Sequence, residues 1–132
     1  MPHDALDLLL DLPQYANVAD DAYAPGLERM RTLVNALGNP HEALRAVHVA
    51  GTNGKGSTAA MTAAIASAAG LTTGLHTSPH LTHVTQRMRV DGTPAPTDWL
   101  ADGLEQHRTL IEDLQPSFFE LTVALTFRYF AE

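Results

Sequence analysis

Apolar positions recur along this chain in rhythms that change from helical to strand-like and back. Leu8, Leu9, Leu10 and Leu12 crowd together near the N-terminus and predict a short helix, followed by a polar, proline-punctuated loop that closes at Pro25-Gly26. Leu27, Met30, Val34 and Leu37 return at helical spacing, and Gly38 before Asn39-Pro40 supplies a stop, so a helix is expected over about 27–37. Ala46-Val47-His48-Val49-Ala50 is short, branched and apolar, and a glycine turn bounds it, as for a buried strand. An alanine-rich stretch from about 55 to 69 follows, with Met61 and Ile65 one turn apart and Gly70 at its end. It predicts a helix whose small side chains allow it to lie close to a sheet. Residues 72–77 read as a second strand, and Arg87-Met88-Arg89-Val90 alternates like a third, half-exposed one. After the turn Asp91-Gly92, Thr97 or Asp98 is placed to cap a helix carrying Leu100, Leu104, Ile111 and Leu114. Ser117 then opens a last helix that runs to the final residues, with Phe127, Tyr129 and Phe130 as packing residues.

Strands alternating with helices predict an α/β fold with a parallel sheet. A chain of 132 residues with 45% hydrophobic content suits one globular domain, and no repeat or linker divides it. Its 8 basic and 15 acidic side chains leave a formal charge of −7, which argues against a nucleic-acid partner because backbone phosphates demand a basic face. Zero cysteines exclude a disulfide scaffold, a cysteine-based zinc site and a thiol nucleophile. The N-terminus lacks the basic start of a secretory signal, and no apolar run approaches the length needed to span a membrane. A cytoplasmic protein is expected.

The charge is unevenly spread. From Ala43 to Val90 there is no Asp or Glu, while Arg45, Lys55, Arg87 and Arg89 lie inside, with four of the seven histidines. An acidic protein with one cationic segment is suited to a small anionic ligand met at that place. Within it stands Gly51-Thr52-Asn53-Gly54-Lys55-Gly56-Ser57-Thr58, and Lys55 is the only lysine in the chain. Glycines let the backbone turn its N–H groups inward, a helix N-terminus adds partial positive charge, and the lysine adds a full one. These features fit a polyphosphate, with Ser57 or Thr58 placed to offer a hydroxyl to a Mg²⁺ ion. The strict pattern G-x-x-x-x-G-K-[ST] is not met, since Val49 occupies its first position and Gly56 follows the lysine. Gly54, Gly56 and Ala59 also satisfy G-x-G-x-x-A, but a dinucleotide site wants an acid about twenty residues on, and none occurs before Asp91. A nucleoside triphosphate is the favoured ligand.

VAGTNGKGS resembles the ATP-binding signature of the folylpolyglutamate synthase and dihydrofolate synthase family, a branch of the Mur-ligase-like ATP-dependent amide ligases. GLERMRTLVNALGNP, HTSPHLTHVTQRMRVDG and SFFELTVALTFRYFAE resemble further family segments in the same order. The resemblance implies a P-loop-type parallel sheet flanked by helices, in a Mur-ligase-like nucleotide-binding domain. It also implies that residues 1–132 are the N-terminal part of that domain, incomplete at the C-terminus, and that the isolated piece is inactive. The family's Mg²⁺-binding glutamate, catalytic-region histidine, adenine contacts, modified lysine and C-terminal domain would lie beyond Glu132. The implied reaction uses ATP and Mg²⁺ to activate the carboxylate of dihydropteroate or a folate as an acyl phosphate, which the L-glutamate amine then displaces. A monomeric full-length enzyme is implied. Thr52, Asn53, Gly54, Lys55, Gly56, Ser57 and Thr58 would bind ATP, with Lys55 catalytic. By the same resemblance Ser78 joins Ser57 as a metal ligand, and His80, Phe118, Phe119 and Glu120 border the substrate. Gln86-Arg87 departs from the family's Glu-Arg.

Bland readings stand beside these. Ser78-Pro79 is a turn dipeptide, and Ser117-x-x-Glu120 is a capping box that needs no ligand. His76, His80 and His83 carry metal-like spacing, but Pro79 interrupts any helix joining them and no cysteine or nearby acid completes a zinc set. A cell-wall Mur ligase shares the fold but is disfavoured by Gly56 and the Ser-Pro-His-Leu loop, and a non-catalytic nucleotide-binding fragment is the remaining alternative.

Overall fold

Helix packing around the last helix organises the computed structural model, which describes residues 2–12, 26–80 and 82–132. The helices are α1 (Pro2–Leu10), α2 (Glu28–Ala36), α3 (Lys55–Ala68), α4 (Thr97–Gln106), α5 (Arg108–Leu114) and α6 (Phe118–Ala131). A small sheet holds β1 (Gly74–His76), β2 (Met88–Val90) and β3 (Thr93–Pro94) in the order β1-β2-β3. α1 packs on α4, and α2 with a 3-10 turn at Pro40–Ala43 packs on α6. Leu9, Leu33, Met88, Leu100, Leu104, Ile111, Leu121 and Leu125 are fully buried between these elements. Burying a leucine side chain contributes about 2 kcal/mol, so this shared interior outweighs the short sheet as a source of order.

Local signals explain the helix ends. Gly38, at φ +87°, lets the chain leave α2 with Gly38 N–H donating to Asn35 O and Asn39 N–H to Val34 O. The same paired closure ends α3, where Gly70 sits at φ +89° and Leu71 N–H reaches Ala66 O. Asp91 and Gly92 take φ +49° and +84°, the left-handed pair that a two-residue hairpin requires, and so join β2 to β3. The Asp91 carboxylate accepts from Ser67 Oγ (3.0 Å) and Thr73 N–H (2.9 Å), tying the hairpin to the C-terminal turn of α3.

Helices near 27–37 and 55–69, a short N-terminal helix, a strand within 72–77 and the final helix occur as expected. Three expectations are corrected. Residues 46–50 form no ladder and Val47 is 78% exposed, because no strand among the described residues lies beside them. The strands that do form pair antiparallel, since β1 and β2 are joined without the helical crossover that a parallel pair needs. The helix expected to be capped by Thr97 or Asp98 begins instead after Pro96, with no side-chain cap, and is interrupted at His107, whose Nδ1 lies 2.9 Å from Gly103 O. The loop expected before Pro25 lies outside the described residues. α3 buries none of its side chains, and Met61 (60% exposed) and Ile65 (72%) are exposed, as are Val47 and Leu71.

Candidate functional site

The Gly51 to Thr58 loop enters α3 through Gly54, whose φ of +76° is open to glycine and strained for other residues. Gly54 is the N-cap and offers no side-chain acceptor, while Thr58 N–H makes the first bond back, to Gly54 O at 2.9 Å. The N–H groups of Lys55, Gly56 and Ser57 are therefore left without intrahelical partners at the positive end of the helix dipole. No acid lies in the first turn of α3 to compete for them. Lys55 folds back so that Nζ donates to Gly51 O at 2.6 Å, which holds the ammonium across the mouth of the loop. A Cβ at Gly56 would meet nothing within 4 Å, so space beside the loop is open.

Thr52, Asn53, Gly54, Lys55, Gly56, Ser57 and Thr58 are all exposed and contiguous. The dinucleotide alternative is weakened by the position of Asp91. It bonds to Ser67 at the far end of the 14-residue α3, about 20 Å along the axis from Gly54 at ~1.5 Å per residue.

A second cluster forms where the Ser78 loop meets the start of α6. Ser78 is exposed, His80 is half-buried, and Leu81 lies outside the described residues. Arg87 Nε donates to His80 Nδ1 at 2.8 Å, and the guanidinium lies over the Phe118 ring with 4.8 Å to its centroid. Phe118 is 2% exposed and so covered, whereas Phe119 is 38% exposed and meets His76 edge-on at 6.5 Å. Of the two aromatic residues, Phe119 is therefore the more exposed.

Ser117 Oγ accepts from Glu120 N–H at 3.1 Å, which is half of a capping box. Glu120 does not complete the box through its own side chain. Its carboxylate forms a bidentate pair with Arg29 of α2, at 2.8 and 3.1 Å. The three imidazoles of metal-like spacing are not brought to one point: His76 meets Thr126, His80 meets Arg87, and His83 caps the 3-10 turn at Val84–Arg87 by accepting from Thr85 N–H. No group of three or more metal-ligating side chains occurs among the described residues.

His76 is the group that the sequence reading left without a role. The Thr126 hydroxyl donates to Thr122 O at 2.7 Å, so toward His76 Nδ1, 3.2 Å away, it acts as acceptor. The ring then carries its proton on Nδ1, and the buried Nε2 makes no hydrogen bond of good geometry among the described residues. Burial and then the Arg87 charge push the His76 pKa below its ordinary 6.5, against an opposing contribution from the Arg87 backbone. A histidine held neutral in the folded state stabilises the protein above the unfolded pKa, and that contribution is lost as pH falls through the folded value. The melting temperature of the wild type is expected to fall more steeply than that of His76→Gln between about pH 7.5 and 5. Thermal unfolding across that range checks it, and parallel curves would remove the assignment.

No family model matches the chain. It is 41% identical to a dihydrofolate synthase/folylpolyglutamate synthase from Bacillus subtilis over 114 residues, 82% of this chain and 26% of that protein. Its fold is similar to folylpolyglutamate synthetase from Lactobacillus casei, with a TM-score of 0.84 and 33% identity over 98% of this chain and 33% of that one. It is likewise similar to a folylpolyglutamate synthase complex with AMPPCP and folate, with a TM-score of 0.80 and 34% identity over 98% of this chain and 32% of that one. The chain spans 15–26% of the length of the curated relatives it matches.

Proposed function

The chain belongs to the folylpolyglutamate synthase and dihydrofolate synthase family, and we propose that it supplies the phosphate-binding part of an ATP-dependent ligase that joins L-glutamate to dihydropteroate or a folate. The observation that carries this reading is the glycine loop with Lys55 across the open N–H groups of α3. A triphosphate placed there would meet oriented donors and a full positive charge, in a segment that contributes no carboxylate to oppose it. The chemistry then divides into two steps. The substrate carboxylate attacks the γ-phosphorus of ATP to give an acyl phosphate and ADP, and the glutamate amine attacks the acyl carbon and releases phosphate. Lys55 and the loop N–H groups stabilise charge on the transferring phosphoryl group during the first step.

Ser57 and Ser78 are the chain's proposed donors to Mg²⁺. Both are exposed, and among the described residues neither hydroxyl has a hydrogen-bond partner, which leaves these hard oxygen donors available. Bound there together with phosphate oxygens, the ion would supply charge neutralisation. Ser57→Ala and Ser78→Ala are each expected to raise the Mg²⁺ concentration for half-maximal turnover by about tenfold or more, at unchanged melting temperature. A Mg²⁺ titration of the full natural-length protein checks this, and identical midpoints would remove the assignment.

Phe119 is the proposed aromatic surface for the pterin, with His80 and the Arg29-paired Glu120 holding its surroundings rather than touching the ligand. Among the described residues no helix is long and apolar enough to cross a membrane. Cytoplasmic action is part of the proposal. The deciding experiment follows ADP release by the full natural-length protein with ATP, glutamate and either dihydropteroate or tetrahydrofolate. Glutamate-dependent ADP release with one or both acids is expected, and none with either would overturn the reading in favour of a non-catalytic nucleotide-binding protein.

A further inference from the structure

Among the described residues Arg87 is the only buried side chain that carries a formal charge, at 8% exposure. Arg29, Arg108 and Arg128 each meet a carboxylate, but Arg87 meets none. Its Nε is committed to His80, one face is stacked on Phe118, and its four terminal N–H donors have no acceptor among the described residues. A buried guanidinium without an anion is costly, because it gives up hydration and gains no charge partner. The surrounding sequence cannot supply that partner locally, since no Asp or Glu occurs between Ala43 and Val90.

The two contacts also locate the free edge of the guanidinium. His80 follows Ser78-Pro79, and Phe118 precedes the exposed Phe119, so Arg87 bridges the proposed metal-ligand loop and the proposed aromatic surface. His80 is the positioning residue here: its Nδ1 must keep a lone pair to accept from Nε, which aims the opposite end of the fork outward.

We propose that the terminal nitrogens of Arg87 bind the carboxylate of the pterin-bearing acid, the group that ATP activates. The assignment rests on the ligase reading above and deepens it by naming what holds the reacting acid. A planar guanidinium edge matches a carboxylate through two parallel hydrogen bonds. It also offsets the repulsion that arises when a carboxylate is brought against a triphosphate. A phosphoryl oxygen of ATP shares this oxyanion chemistry, but no hydrogen bond joins Arg87 to the Gly51 to Thr58 loop, whereas Phe118 links it to the aromatic side of the site.

The test uses the full natural-length protein and measures binding of dihydropteroate and of its carboxamide analogue in the presence of a non-hydrolysable ATP analogue, whose own affinity is measured separately. Wild type is expected to prefer the acid by at least about 30-fold. Arg87→Gln should reduce that preference to within about twofold by weakening the acid alone, with affinity for the ATP analogue unchanged. Arg87→Lys, which keeps charge but loses the fork, should retain an intermediate preference and serves if the glutamine variant fails to fold. A preference that survives substitution, or equal weakening of acid and amide, overturns the assignment. Loss of ATP-analogue affinity instead of acid preference overturns it in favour of a phosphoryl contact. A wild type that binds the ATP analogue but neither pterin compound sinks the ligase reading itself, which distinguishes the two failures.

Discussion

Lys55→Ala in the full natural-length protein is expected to lower glutamate-dependent ADP formation by about three orders of magnitude or more while leaving the melting temperature unchanged. The two halves of that expectation come from different observations. Lys55 is exposed, and among the described residues its side chain bonds only to Gly51 O, so little folding energy depends on it. Its value lies in where the ammonium is held: across a loop whose other donors are backbone N–H groups with only partial charge. Removing it leaves the α3 N-terminus intact, so an ATP analogue should still bind, more weakly. The larger loss belongs to the transition state, where charge moves between oxygens and the remaining loop donors carry only partial charge. Single-turnover measurement of ADP at saturating ATP isolates that step, and activity within tenfold of wild type would refute the role given to Lys55.

The phosphate loop was legible in the sequence because its determinants are consecutive. A glycine that must take a left-handed φ, a lysine one residue later and a helix without an acidic first turn are local properties, and Gly54, Lys55 and α3 take the arrangement that they dictate. The stop at Gly38 and the turn at Asp91-Gly92 were legible for the same reason. Pairing of 46–50 was not, since an apolar pattern states that a strand would be buried but not which strand lies beside it. Likewise the hydrophobic spacing from Leu100 to Leu114 passes through His107 without announcing the break there. Phe118 and Phe119 are equivalent as residue types, and only the structure shows the first buried beneath a stacked cation and the second 38% exposed. Arg87 stood in view as half of a changed dipeptide, and nothing short of its burial and missing anion could give it a role.

Glu120 makes the same point energetically, and its replacement by alanine is the second large effect expected. Sequence spacing assigns it to a capping box with Ser117, yet its carboxylate is spent on Arg29, 91 positions away, in a bidentate pair whose side chains are 13% and 19% exposed. Loss of one partner from a fully buried pair costs about 3–5 kcal/mol and an exposed pair is worth under about 1 kcal/mol, so partial exposure places Glu120→Ala near 2 kcal/mol. For a chain of this size that lowers the melting temperature by about 8 °C. Ser117→Ala, which removes the observed N-cap bond, should cost about 1 kcal/mol. A double-mutant cycle separates the two partnerships: Glu120 should couple to Arg29 by about 1–2 kcal/mol and to Ser117 by much less. Coupling that instead runs chiefly to Ser117 would mean that the capping box, not the α2 to α6 clamp, is what Glu120 supports. Because the clamp fixes the start of α6, its loss should also raise the KM for the pterin-bearing acid through Phe119 while leaving the KM for ATP, set at the other loop, unchanged.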